Sequence, residues 1–107
     1  MKLPMTGWSA DVLDDLAQYI SETIEQETVD TFYIGRSESL DFATSRHGCD
    51  EIVPLYETDS VQNAIELEGS LIEQFLVHEK CDNKNAYGGG GVSSEFVSYV
   101  YLALWYC

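Results

Sequence analysis

Positive charge is what this sequence has least of. Five lysines and arginines stand against nineteen aspartates and glutamates, for a formal charge of -14 at pH 7. A field of that sign repels phosphate backbones at long range, so general, sequence-independent affinity for nucleic acid is not the default expectation. Three readings of the acidity remain: adaptation to high salt, mimicry of nucleic-acid charge towards a basic protein partner, or simple solubility. Cysteine is also sparse. Cys49, Cys81 and Cys107 are odd in number and widely spaced, which argues against a disulfide framework and for reduced thiols that pack as small apolar groups. Long apolar runs are missing as well. No stretch approaches the roughly 20 residues of a membrane span, and the start MKLPMTGWSADVLDD has one lysine but no leader-like apolar core. The expectation is a cytoplasmic chain without a membrane segment.

What is present is ordinary globular material. Hydrophobic residues make up 45% and aromatics 12% of 107 residues, enough for one core and too few for two, so residues 1–107 are expected to form a single domain. Val12, Leu13, Leu16, Ile20 and Ile24 recur at helical spacing from Ser9 to about Glu25, with Ser9 placed as cap and Asp11 in the first turn. Thr28 to Ile34 is β-branched and aromatic and reads as a strand. A short helix fits Leu40 to Arg46, closed by Gly48. Glu51 to Glu57 is a second strand, pushed by Pro54 towards an edge or a bulge. Ser60 to about His78 is helical, Cys81 to Ser94 is a glycine-dense loop, and Val97 to Tyr106 is apolar enough for a strand covered on both faces. The fold class is α/β in the α+β sense: a small, mostly antiparallel sheet of about three strands flanked by helices. The helix of residues 1–27 precedes a core of residues 28–107.

One position breaks the pattern of the third helix. Its apolar stripe runs Val61, Ala64, Ile65, Leu71, Ile72, Phe75 and Leu76, and the place needed to continue it between Ile65 and Leu71 is Glu68. A carboxylate there must be protonated, paired or bound to a cation, because an isolated buried charge costs more than the surrounding packing returns. The partner is Arg36 or Arg46, or else a hydrated divalent metal. Glu66, about 200° round the helix, faces solvent.

Tyr33-Ile34-Gly35, followed by Arg36-Ser37, resembles the second signature triplet of the GIY-YIG nuclease superfamily. About thirty residues on, Ala64-Ile-Glu-Leu-Glu68-Gly-Ser-Leu71-Ile72 is similar to the family helix whose glutamate binds the catalytic metal, and Asn83 looks like the family's asparagine. The likeness covers about residues 31 to 83. It implies a DNA endonuclease, a phosphodiester hydrolase using Mg²⁺ or Mn²⁺ at Glu68, with tyrosines and an arginine around it. In that reading Tyr33 with Tyr99 or Tyr101 orients or deprotonates the water, Arg46 or Arg36 neutralises phosphate charge, and Asn83 positions the site. His47 falls where members often carry a histidine.

The departures are specific. No GIY triplet stands about ten residues before Tyr33, although Tyr99-Val100-Tyr101 would fill that place in space if the order of the domain were circularly rearranged. The family's arginine position falls on Ala43, and Arg46 lies one turn later. The alternative is therefore a catalytically degenerate acidic member of that fold that binds a basic protein, as a decoy for a nucleic-acid-binding enzyme. Small size and acidity would suit a phage or other mobile-element protein. Other groupings are weaker. His47, Cys49, His78 and Cys81 lack a zinc signature spacing. Gly88 to Gly91 lacks the lysine of a phosphate loop. Tyr99, Tyr101 and Trp105 share a strand face, where such rows are more often core than base-stacking platforms.

Overall fold

The computed structural model describes residues 2–83 and 97–107, apart from the side chains of Phe42, Arg46 and His47. Six elements follow in order: α1 (Ser9–Ile24), β1 (Val29–Ser37), α2 (Leu40–His47), β2 (Glu51–Thr58), α3 (Val61–Phe75) and β3 (Ser98–Tyr106). The α+β class is as the sequence leads one to expect. No helix among the described residues is long and apolar enough to cross a membrane.

Helical periodicity translates directly into burial. Val12, Leu16, Ile20 and Ile24 form the buried stripe of α1, and Ala64, Leu67, Glu68, Leu71 and Ile72 that of α3. Ser60 caps α3, its hydroxyl oxygen accepting the Asn63 amide at 3.2 Å. Ser9 does not cap α1. Trp8 holds that position in an extended conformation without a side-chain cap bond, and Ser9, already helical, donates its hydroxyl to Glu66 Oε2 at 3.3 Å. Helix α3 stops at Phe75, short of His78, because the chain tightens there and the His78 amide reaches back to the Phe75 carbonyl.

The strands make one antiparallel sheet in the order β1-β3-β2. The central strand comes last in sequence and is buried from Val100 to Leu104. Both consequences expected of Pro54 are found: β2 is an edge strand, and its register slips between Pro54 and Tyr56. Strand alternation sorts the core into two layers. Phe32, Ile34, Val100, Leu102 and Leu104 pack with α1 and α3, whereas Tyr33, Tyr101, Ala103 and Trp105 pack with Leu40 and Ala43 of α2.

Both outer edges of the sheet are covered, which removes open templates for strand addition. Beside β2, Met5 exchanges backbone bonds with Leu55 and Glu57. Beside β1, the Phe32 amide donates to the Lys80 carbonyl and the Asp82 amide to the Phe32 carbonyl.

Gly35 explains itself through its cross-strand partner. It lies directly opposite Tyr101, and a Cβ at residue 35 would sit 2.5 Å from Tyr101 Cζ and 2.8 Å from Tyr33 Cε1. Two tyrosine rings thus close over a bare backbone. Gly35→Ala should therefore lower unfolding free energy by about 2 kcal/mol or more in denaturant titration. The same change in a Tyr101→Ala background should cost less, and equal costs in both backgrounds would show that the ring is not the obstacle.

Candidate functional site

Arg36 and Glu68 meet between β1 and α3. Arg36 shares its sheet face with Phe32 and Ile34, and Arg36 Nε donates to Glu68 Oε1 at 3.2 Å. Both residues are buried, Arg36 at 8% exposure and Glu68 at 3%. Glu68 Oε2 is sealed from solvent and has no hydrogen-bond partner among the described residues. Burial pushes the Glu68 carboxyl above its ordinary value of 4.5, while the charge and hydrogen bond of Arg36 pull it back only in part. Of the partners open in the sequence, Arg36 is the one found.

The tyrosines lie on the other face. Tyr33 and Tyr101 stand 6.5 Å apart between ring centroids over Gly35, in the layer that packs under α2. Ala43, at the family's arginine position, is 1% exposed in that same layer with Tyr101 and Ala103. Tyr99 also sits opposite Ser37 and Glu57. Its hydroxyl bonds the Glu57 carboxylate, which raises its pKa and makes it a poorer base at neutral pH. Arg46 and His47 close the last turn of α2.

Asn83 is a latch. Its Oδ1 accepts the Ile34 amide and its Nδ2 donates to the Ile34 carbonyl, both at 2.9 Å. The side chain thus continues along the β1 edge the pairing begun by Lys80 and Asp82. It positions β1 from the edge and has both amide groups engaged in doing so.

The sheet therefore separates the candidate residues into two groups. Arg36 and Glu68 lie on the α1 and α3 side, Tyr33 and Tyr101 on the α2 side. A hydrated divalent ion needs an open carboxylate with room for its waters. Glu68 offers one oxygen held by Arg36 and one without solvent access, and no group of three or more His, Cys, Asp or Glu among the described residues is placed to hold a metal. The arrangement does not suit Mg²⁺ or Mn²⁺. Gly88 to Gly91 lies outside the described residues, as does the side chain of His47 from the zinc grouping.

The open concave surface is elsewhere. Three adjoining cavities, of about 640, 510 and 260 Å³, run from the start of α1 along its cleft with α3. Trp8, 70% exposed, lines the first two. Glu57 and Asp59 line the first, and Asp11 and Glu66 the second; among the described residues no lysine or arginine lines any of the three. None of the three includes Tyr33, Arg36, Glu68 or Tyr101. Trp8 carries no motif. Its one signal in the sequence is a large aromatic residue between Gly7 and the first helical residue, where a capping side chain is the usual choice.

Compared with known proteins, the chain matches no family model, no curated protein and no solved structure.

The raised Glu68 carboxyl has a testable sign. Its stabilising share is fully present below pH 4.5, where it is neutral folded and unfolded, and is lost as pH rises through the higher folded value. Glu68→Gln cannot ionise and escapes that loss. In denaturant titrations from pH 4 to 8 the Gln variant should match the parent at the acid end and equal or exceed it at pH 7. A Gln variant clearly weaker at pH 7 would show that the Arg36 bond outweighs desolvation. Asn83→Ala, which strands two buried backbone groups of Ile34, should cost about 1–3 kcal/mol at any pH.

Proposed function

We propose that this chain is a non-catalytic, acidic binding protein on a GIY-YIG-like scaffold, and that its partner is a basic protein of the kind that binds nucleic acid. One observation carries this. Of the eighteen acidic residues described, sixteen are solvent-exposed, Glu57 is half-buried and Glu68 is buried. Two of the cations among the described residues are engaged within the fold. Arg36 is committed to Glu68, and Lys80 Nζ donates to the Ile24 and Gln26 carbonyls at 2.7 and 3.1 Å, capping the negative end of α1. Among the described residues this leaves Lys2 as the exposed cation. Such a surface steers basic partners in and holds phosphate backbones off. The burial of Ala43 and the sealing of Glu68 support the absence of catalysis.

A second reading, an endonuclease acting on DNA with Mg²⁺ or Mn²⁺, is favoured by one feature. The antiparallel pairing of β1 with β3 sets Tyr101 beside Tyr33, the neighbourhood that a circularly rearranged order of the family requires. It needs Glu68 to part from Arg36.

Incubation with single-stranded, duplex and branched DNA separates the two. No cleavage above that of the Glu68→Gln protein is expected with either metal, and metal-dependent cleavage abolished by that substitution would put the enzyme first. On the binding side, an arginine-rich peptide should bind at 50 mM NaCl and weaken about tenfold or more by 300 mM, while duplex DNA should not bind at either salt.

A further inference from the structure

Among the described residues the acidic surface carries an exposed indole where a helix cap is the ordinary choice. Helix N-caps favour Ser, Thr, Asp or Asn, whose short side chains satisfy a free amide. Trp8 forgoes that bond and holds an indole 70% exposed instead. The backbone that presents it is fixed on both sides. Met5 is hydrogen-bonded to β2, the Tyr56 hydroxyl donates to the Gly7 carbonyl, and the Asp11 amide donates to the Trp8 carbonyl. Gly7 turns the chain at a φ of 107°, a conformation that side-chain-bearing residues resist. A rigidly mounted, exposed aromatic at a position that ordinarily favours a cap is a local rule broken without a folding gain, which is where function is to be sought.

The chemistry around the indole selects the occupant. Glu57 and Asp59 lie in the cavity on one side, and Asp11 and Glu66 in the one adjoining. Anions are repelled there, and an apolar ligand would desolvate carboxylates without pairing them. A guanidinium meets both demands, stacking its plane on the indole while its N–H groups reach the carboxylates. The first turns of α1 and α3 would otherwise favour an anion; Asp11 already supplies the negative charge in the first, and Ser60 caps the second. The three cavities adjoin in an open groove, a shape that admits an extended chain segment.

We infer that the groove beside Trp8, between the N-terminal turn of α1 and the start of α3, is the docking site for an arginine-bearing segment of the basic partner, with Trp8 stacking on one guanidinium. This rests on the binding reading above and adds its location. The probes are two synthetic peptides of equal length and charge, one arginine-rich and one lysine-rich, titrated calorimetrically into the full chain at 150 mM NaCl. The arginine peptide should bind more tightly, Trp8→Ala should weaken it about tenfold, and Trp8→Phe should fall between. Asp14→Asn/Asp15→Asn, which removes exposed charge elsewhere on α1, should weaken it about twofold through the long-range field alone. If Trp8→Ala binds like the parent while the Asp14/Asp15 variant and added salt weaken binding, the groove is not the site and the binding reading survives. If the parent binds neither peptide even at 50 mM NaCl, both fall. Should Trp8→Ala alter the circular dichroism melt, Glu57→Gln/Asp59→Asn, which keeps the indole, must weaken binding more than the Asp14/Asp15 pair, and a smaller effect overturns the site.

Discussion

The antiparallel pairing of β3 with both β1 and β2 is the contact on which the rest depends. Strands β1 and β2 are not neighbours, so the sheet exists only once the last segment of the chain has entered between them. Its Val100, Leu102 and Leu104 complete the layer under α1 and α3, and its Tyr101 and Ala103 the layer under α2. Loop-closure entropy for so distant a segment is offset by burial on two faces together with backbone pairing along both edges to neighbouring strands, the second of which an edge strand lacks. The same pairing dictates Gly35, because the ring of its partner Tyr101 lies where a Cβ would be.

Around this core the chain distributes charge unevenly. Among the described residues two cations are held by the fold, Arg36 against Glu68 and Lys80 at the carbonyl end of α1. Carboxylates take the outside, where water and counterions screen their mutual repulsion. Among the described residues the result is a surface of nearly one sign, and net charge bears on association and not on fold. Within that surface the groove at Trp8 adds an indole that bonds no carboxylate among the described residues, whereas the exposed Tyr106 already spends its hydroxyl on Glu51.

Glu68 shows how one residue can satisfy two descriptions and serve neither fully. Its helix resembles that of a metal-binding glutamate, yet the carboxylate is half satisfied, with one oxygen on Arg36 and the other without a partner among the described residues. Desolvation outweighs the single hydrogen bond, so the pair is a poor source of stability. The tyrosines and Ala43 lie across the sheet from it. What the resemblance gathers around one metal, the strand alternation of this chain divides between two faces.

The sequence alone determined the elements and their types, because helical stripes, β-branched runs, Pro54 and Gly48 act locally and leave periodic or positional marks. It also determined that Glu68 would need a partner, since a carboxylate in an apolar stripe is costly wherever the helix packs. It misplaced the cap of α1 on Ser9, for a cap is decided by where the chain enters the helix, and the pinning of Met5 and Gly7 against β2 sets that entry at Trp8. The structure alone decided that Arg36 is the partner of Glu68, that Asn83 latches the backbone of Ile34, and that Tyr33 and Arg36, three residues apart, face opposite layers. Each is a matter of register or of segments far apart in sequence, and pairing between distant segments leaves no periodic trace in one chain.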